Sequence, residues 1–109
     1  MDTSYEEDLE YLLNYAQEDW VGLSVVGGIA GTRAGKGATF DEMTSALLAV
    51  ISDLIDRGAV PGDLVEGDPG FVPWLGTKDE VLARFANEVR ALRSMPETGE
   101  VCWIHDPTA

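Results

Sequence analysis

Cys102 and His105 are the only cysteine and the only histidine in the chain. A thiol and an imidazole can form a nucleophile and base pair, and both can hold zinc. Neither role suits this spacing. A zinc site draws four N, S or O ligands, commonly in paired spacing, and no second pair accompanies these two residues. In an extended segment, residues three apart point to opposite faces, so the thiol and the ring diverge. Cys102, between Val101 and Trp103, reads as a packing residue of a short strand. The glycine-rich run from Gly31 to Gly37 contains Gly35-Lys36, the centre of a phosphate-binding loop. That loop requires Gly, four residues, Gly-Lys, then Ser or Thr. Ala30 and Gly37 stand at its two ends, so the magnesium-holding hydroxyl is missing and the run reads as an interhelical connection.

Asp63, Glu66 and Asp68 lie close together in sequence. They lack the alternating spacing and terminal glutamate of a calcium loop. They read first as a solvated turn and second as a contact surface for a cation-rich partner. Ser24, Ser45, Ser52 and Ser94 sit in helical or capping contexts with no base nearby, so no nucleophile is indicated. No cofactor, no metal and no enzymatic activity are expected. Phe71, Trp74 and Trp103 cluster on the predicted hairpin and its partner strand, where they would close the core. Trp is enriched at interface hot spots, and Trp74, between Pro73 and Leu75, is the candidate anchor. The candidate partner-binding set is therefore Asp63, Glu66, Asp68 and Trp74.

The elements that must carry these residues follow from periodicity. Tyr5, Leu9, Leu12, Leu13, Ala16 and Trp20 recur at helical spacing. Thr3 with Glu6, or Ser4 with Glu7, has the capping-box spacing, which predicts a helix over 4–18. Residues 20–31 are apolar and broken by glycines. They predict a short helix capped by Ser24, with a strand through Val21, Leu23 and Val25 as the alternative, and then a loop over 31–38. Thr39 and Glu42 form another capping box. Met43, Leu47, Val50, Ile51, Leu54 and Ile55 give the widest stripe, and Gly58 supplies the left-handed position a helix end needs. This predicts a helix over 40–57.

Two extended runs, around Val60–Val65 and Phe71–Leu75, flank a Pro/Gly turn and predict a β-hairpin. Pro61 and Pro73 cannot donate to a ladder, which favours edge or short strands. Thr77 and Glu80 cap a predicted helix over 77–93, and Val101–Ile104 is a final strand pairing with the hairpin. The tail from Asp106 reads as loose. The fold class is α+β and mostly helical. About four helices accompany a small antiparallel β-hairpin and a C-terminal strand, in a winged-helix-like order, and residues 1–109 form one domain.

Seven Lys and Arg stand against 20 Asp and Glu, a formal charge of −13 with a pI of about 4.1. Seven of the acids, and no base, fall in the first twenty residues. Phosphate backbones are bound by clustered bases, so neither nucleic acid nor an anionic membrane is an expected partner. A basic protein is, because a field of this sign steers cations inward. No apolar stretch reaches membrane-spanning length, the N-terminus is acidic where a leader would be basic, and the lone cysteine fits a reducing compartment. A cytoplasmic location is expected.

Three runs carry a resemblance: Arg57-Gly-Ala-Val-Pro-Gly-Asp63-Leu64, Gly70-Phe-Val-Pro-Trp74 and Val101-Cys-Trp-Ile104. In these the chain resembles a group of small acidic bacterial proteins of uncharacterised function, with a Gly-Asp-Leu turn, a Gly-Phe-x-x-Trp hairpin and a Cys-Trp strand. In size and acidity it is also similar to the immunity proteins that neutralise bacterial toxins. That similarity implies an inhibitor that blocks a basic toxin. A winged-helix transcriptional regulator or another interaction adaptor is the alternative.

Overall fold

The computed structural model, which describes residues 3–66 and 70–107 with the side chain of Thr3 excepted, has four helices and four short strands among the described residues. In chain order they are α1 (Thr3–Glu18), β1 (Val21–Gly22), α2 (Leu23–Ala34), α3 (Phe40–Asp56), β2 (Val60–Leu64), β3 (Phe71–Pro73), α4 (Lys78–Leu92) and β4 (Trp103–His105). The fold is α+β, with a four-stranded antiparallel sheet in the order β1-β4-β2-β3.

The helix starts follow their local chemistry. Thr39 accepts from the backbone of Glu42 at 3.1 Å, and Glu42 accepts from the backbone of Thr39 at 3.0 Å. Thr77 and Glu80 repeat this at 3.2 and 3.1 Å. Each pair satisfies two of the amide donors that a helix start leaves orphaned. The same backbone bond from the threonine holds each glutamate carboxyl below its ordinary range. At the other end of α3, Gly58 takes φ 102°. The amides of Gly58 and Ala59 then close back onto the carbonyls of Ile55 and Leu54, both at 3.0 Å, a closure that needs the left-handed residue.

One buried cluster joins all four helices to the sheet. α1 contributes Leu9, Leu12 and Ala16; α2 contributes Leu23, Val26 and Ala30; α3 contributes Leu47, Val50, Ile51 and Leu54; α4 contributes Val81, Phe85 and Val89. Val21, Ile104 and Pro61 are cross-strand neighbours on the sheet face turned to the helices, and all three are buried. No helix among the described residues is long and apolar enough to cross a membrane.

Several expectations change. The segment after α1 contains both of the alternatives it offered, a two-residue strand and then a helix. α2 runs four residues into the expected loop, and its N-cap is Gly22; Ser24 lies in its first turn and its hydroxyl meets that of Thr98. Trp20 falls beyond the end of α1, off the stripe assigned to it. Gly62-Asp63-Leu64 is strand, not turn. Pro61 lies in an inner strand, since β2 has β4 on one side and β3 on the other. It is tolerated there because its carbonyl still pairs, accepting from Trp74 N at 2.9 Å. β4 begins after Cys102 and extends to His105. Asp106 is not loose: it is 2% exposed, its amide donates to Ala16 O at 3.1 Å, and its carboxylate accepts from Gln17 Nε2 at 3.1 Å.

Candidate partner-binding site

The four residues that the sequence nominated separate into different environments. Asp63 is half-exposed on β2, with a carboxylate oxygen 3.7 Å from an Arg84 guanidinium nitrogen. Glu66 is exposed in the bend beyond β2. Asp68 lies outside the described residues. Trp74 is 6% exposed and belongs to the core cluster. Its position corrects the expectation of an exposed anchor. The chain turns inward after β3, and α4 covers the indole: the Arg84 guanidinium lies 3.8 Å above the ring centroid. Arg84 also donates to Glu88 at 2.7 Å, one helical turn on. One arginine thus holds an aromatic face and two carboxylates, and Asp63 is the hairpin acid it engages.

Phe71, Trp74 and Trp103 do not form one cluster either. Strand alternation puts Phe71 on the sheet face away from the helices. There its ring stacks near-parallel to Trp20, with centroids 6.5 Å apart and planes at 13°. It also tilts against His105, with centroids at 5.3 Å. Gly62, beneath the ring, has to be glycine: a Cβ there would stand 2.5 Å from Phe71 Cζ and 2.5 Å from the carbonyl oxygen of Val72. His105 Nδ1 donates to Ala16 O at 3.0 Å, tying the ring to the end of α1. Trp20, Val60, Phe71, Pro73, His105 and Pro107 line a cleft of about 370 Å³ on this face.

The second concavity lies on α1, where the sequence reading named no site residue. Tyr11, Asn14, Tyr15, Glu18 and Asp19 line about 450 Å³. Positions 7, 11, 14 and 18 share one helical stripe, with 10 and 15 on either side, opposite the buried Leu9, Leu12 and Ala16. Tyr11 is 50% and Tyr15 37% exposed, with ring centroids 6.1 Å apart. Two tyrosines on the solvent face of an acidic helix were visible in the sequence, but a stripe search looks for apolar residues on the buried face and passes over them.

No protein-family model, curated protein or solved structure matches this chain. Its function is therefore read from the geometry.

The charges are distributed unevenly. Arg57 pairs with Glu6 at 2.7 Å, Lys78 with Asp56 at 2.6 Å, and Arg84 with Asp63 and Glu88. The Arg33 guanidinium lies 3.8 Å over the Tyr5 ring, and the Tyr5 hydroxyl donates to Asp53. Burial, with that bond second, raises the Tyr5 pKa, so the phenol stays protonated. Four of the seven bases thus serve contacts within the fold. Glu7, Glu10 and Glu18 on α1, and Asp19 just beyond its end, make no ion pair among the described residues. The last turn of α1 carries no base, unlike those of α2 and α4, so the partial negative charge of its carbonyl end adds to that of the side chains. Among the described residues no group of His, Cys, Asp and Glu is placed to hold a metal. Cys102 is buried, which pushes its thiol pKa up and away from the reactive thiolate.

Proposed function

We propose that this chain is a non-enzymatic acidic binding module of the cytoplasm that engages a basic protein through the outer face of α1. Its most specific form is an immunity-type inhibitor that covers the cationic cleft of a toxin. The observation that carries the reading is the division of charge. Four of the seven bases are engaged within the fold, while Glu7, Glu10, Glu18 and Asp19 surround two exposed tyrosines. A carboxylate field steers a cationic partner and raises its on-rate, and tyrosine supplies rigid contact area at low entropic cost. Asp19 and Trp20 are consecutive and line the two concavities, so the aromatic cleft adjoins the acidic face and adds apolar area to it.

The order of elements through β3 is that of a winged helix, which keeps a regulator as the alternative. The exposed residues of α3 disfavour DNA contact: Asp41, Glu42 and Asp56 are acidic, and Arg57 at its end is already paired with Glu6. The test is pairwise co-expression with the product of the open reading frame beside its gene. A salt-sensitive one-to-one complex that abolishes that product's toxicity supports the reading. A toxic neighbour that neither binds nor is neutralised contradicts it.

A further inference from the structure

Twice in this fold an arginine lies over an aromatic ring that has a carboxylate close by. Arg33 lies 3.8 Å over the ring of Tyr5, whose hydroxyl bonds the Asp53 carboxylate. Arg84 lies 3.8 Å over the ring of Trp74 while meeting Asp63 and Glu88. In both, a flat guanidinium covers an aromatic face and a carboxylate stands at hand, the arrangement for which arginine is better suited than lysine. Tyr11, Tyr15, Glu18 and Asp19 form a third set of the same composition. This set is exposed and concave, at the carbonyl end of α1, and no cation of the described chain lies over either ring.

We infer that the α1 concavity reads one arginine side chain of the basic protein partner: the guanidinium covers a tyrosine ring and is held by Glu18 and Asp19. Asn14 offers a carboxamide oxygen as a further acceptor on the same wall. This deepens the proposed function and rests on it, since it names the chemistry with which a basic partner is recognised. Lysine meets the same charge, but its compact, strongly hydrated ammonium gives up more water to lie on a ring. The concavity therefore discriminates between two partners of equal charge.

The test uses two blocked peptides, hexa-arginine and hexa-lysine, titrated calorimetrically into the whole protein at low and moderate salt. The expected result is binding of both at low salt, with the arginine peptide about two- to fivefold tighter, the range of an exposed cation–ring contact. Replacing Tyr11→Gln and Tyr15→Gln together should remove that preference and leave the lysine affinity in place, while Tyr11→Phe with Tyr15→Phe should keep it. Both rings are exposed, and a melting curve on each variant confirms the fold. Equal affinities in the wild type, or a preference that survives loss of both rings, overturns the arginine site and leaves the basic-partner reading standing. Failure of both peptides to bind at low salt overturns the basic-partner reading, and the arginine site with it.

Discussion

Trp74 gives the sharpest separation of a packing role from a contact role. Its side chain is almost wholly buried, in contact with the core cluster on one side and with the Arg84 guanidinium on the other. Trp74→Ala empties that volume at an expected cost of about 3–5 kcal/mol. A domain of ordinary stability has about 5–15 kcal/mol in total. At about 4 °C per kcal/mol, the melting midpoint falls by roughly 12–20 °C. Trp74→Phe keeps a ring face for Arg84 and removes the indole N–H, which is buried without a partner. Leaving such a donor unpaired costs about 1–3 kcal/mol, so the phenylalanine variant should lose far less than the alanine one. Arg84 is half-exposed, and its ion pairs contribute about 0–1 kcal/mol each. A double-mutant cycle with Arg84→Met should isolate a ring coupling of about 0.5–1 kcal/mol. Thermal and denaturant unfolding followed by circular dichroism reads all three. If Trp74→Ala melts within two or three degrees of the wild type, the core assignment of this indole is refuted.

Thr44 is 1% exposed and its hydroxyl has no partner, so Thr44→Val should raise stability by about 1 kcal/mol in denaturant unfolding; a loss would reveal a bond to that hydroxyl. Gly62→Ala should destabilise by about 1–3 kcal/mol, because the new methyl collides with a backbone carbonyl as well as the Phe71 ring; Trp20 fluorescence should report the displaced ring, and an unchanged spectrum would contradict the packing. Glu42 and Glu80 have carboxyls held below their ordinary value of 4.5 in the folded state, so their stabilisation is complete above that value and is lost as pH falls through the folded one. Glu42→Gln with Glu80→Gln, which can still accept the capping bond, should therefore flatten the acid limb of the melting temperature below about pH 4.5; an unchanged limb would locate the acid sensitivity elsewhere.

The helices were legible because their signals are local. A capping box and a stripe lie within one stretch of chain, and Thr39, Glu42, Thr77, Glu80 and Gly58 act as their types dictate. What escaped depends on contacts between distant segments. β1 is two residues long and exists because Ile104 pairs with Val21, 83 positions earlier in the chain. Asp106 is ordered by the end of α1, which no tail composition announces. Asp63 reads as solvated turn charge in the sequence because Arg84, which engages it, lies beyond the hairpin in α4. The burial of Trp74 is hidden from the sequence for a similar reason. Trp74, Phe71 and Trp20 are all aromatic, and only the packing of distant segments decides that the first turns inward while the other two line an open cleft. On α1 the acids signal charge in the sequence, whereas Tyr11 and Tyr15 carry no local signal that marks them as a surface pair.

The central claim is that cations are received on α1 and not on the hairpin. Backbone amide shifts recorded during titration with blocked hexa-lysine at low ionic strength test it residue by residue. The account predicts perturbations concentrated between residues 7 and 20, fading as salt is raised through the range in which the screening length falls to about 10 Å and below. Perturbations centred on Asp63 and Glu66 with α1 unmoved, or spread evenly over every acidic surface, would contradict it.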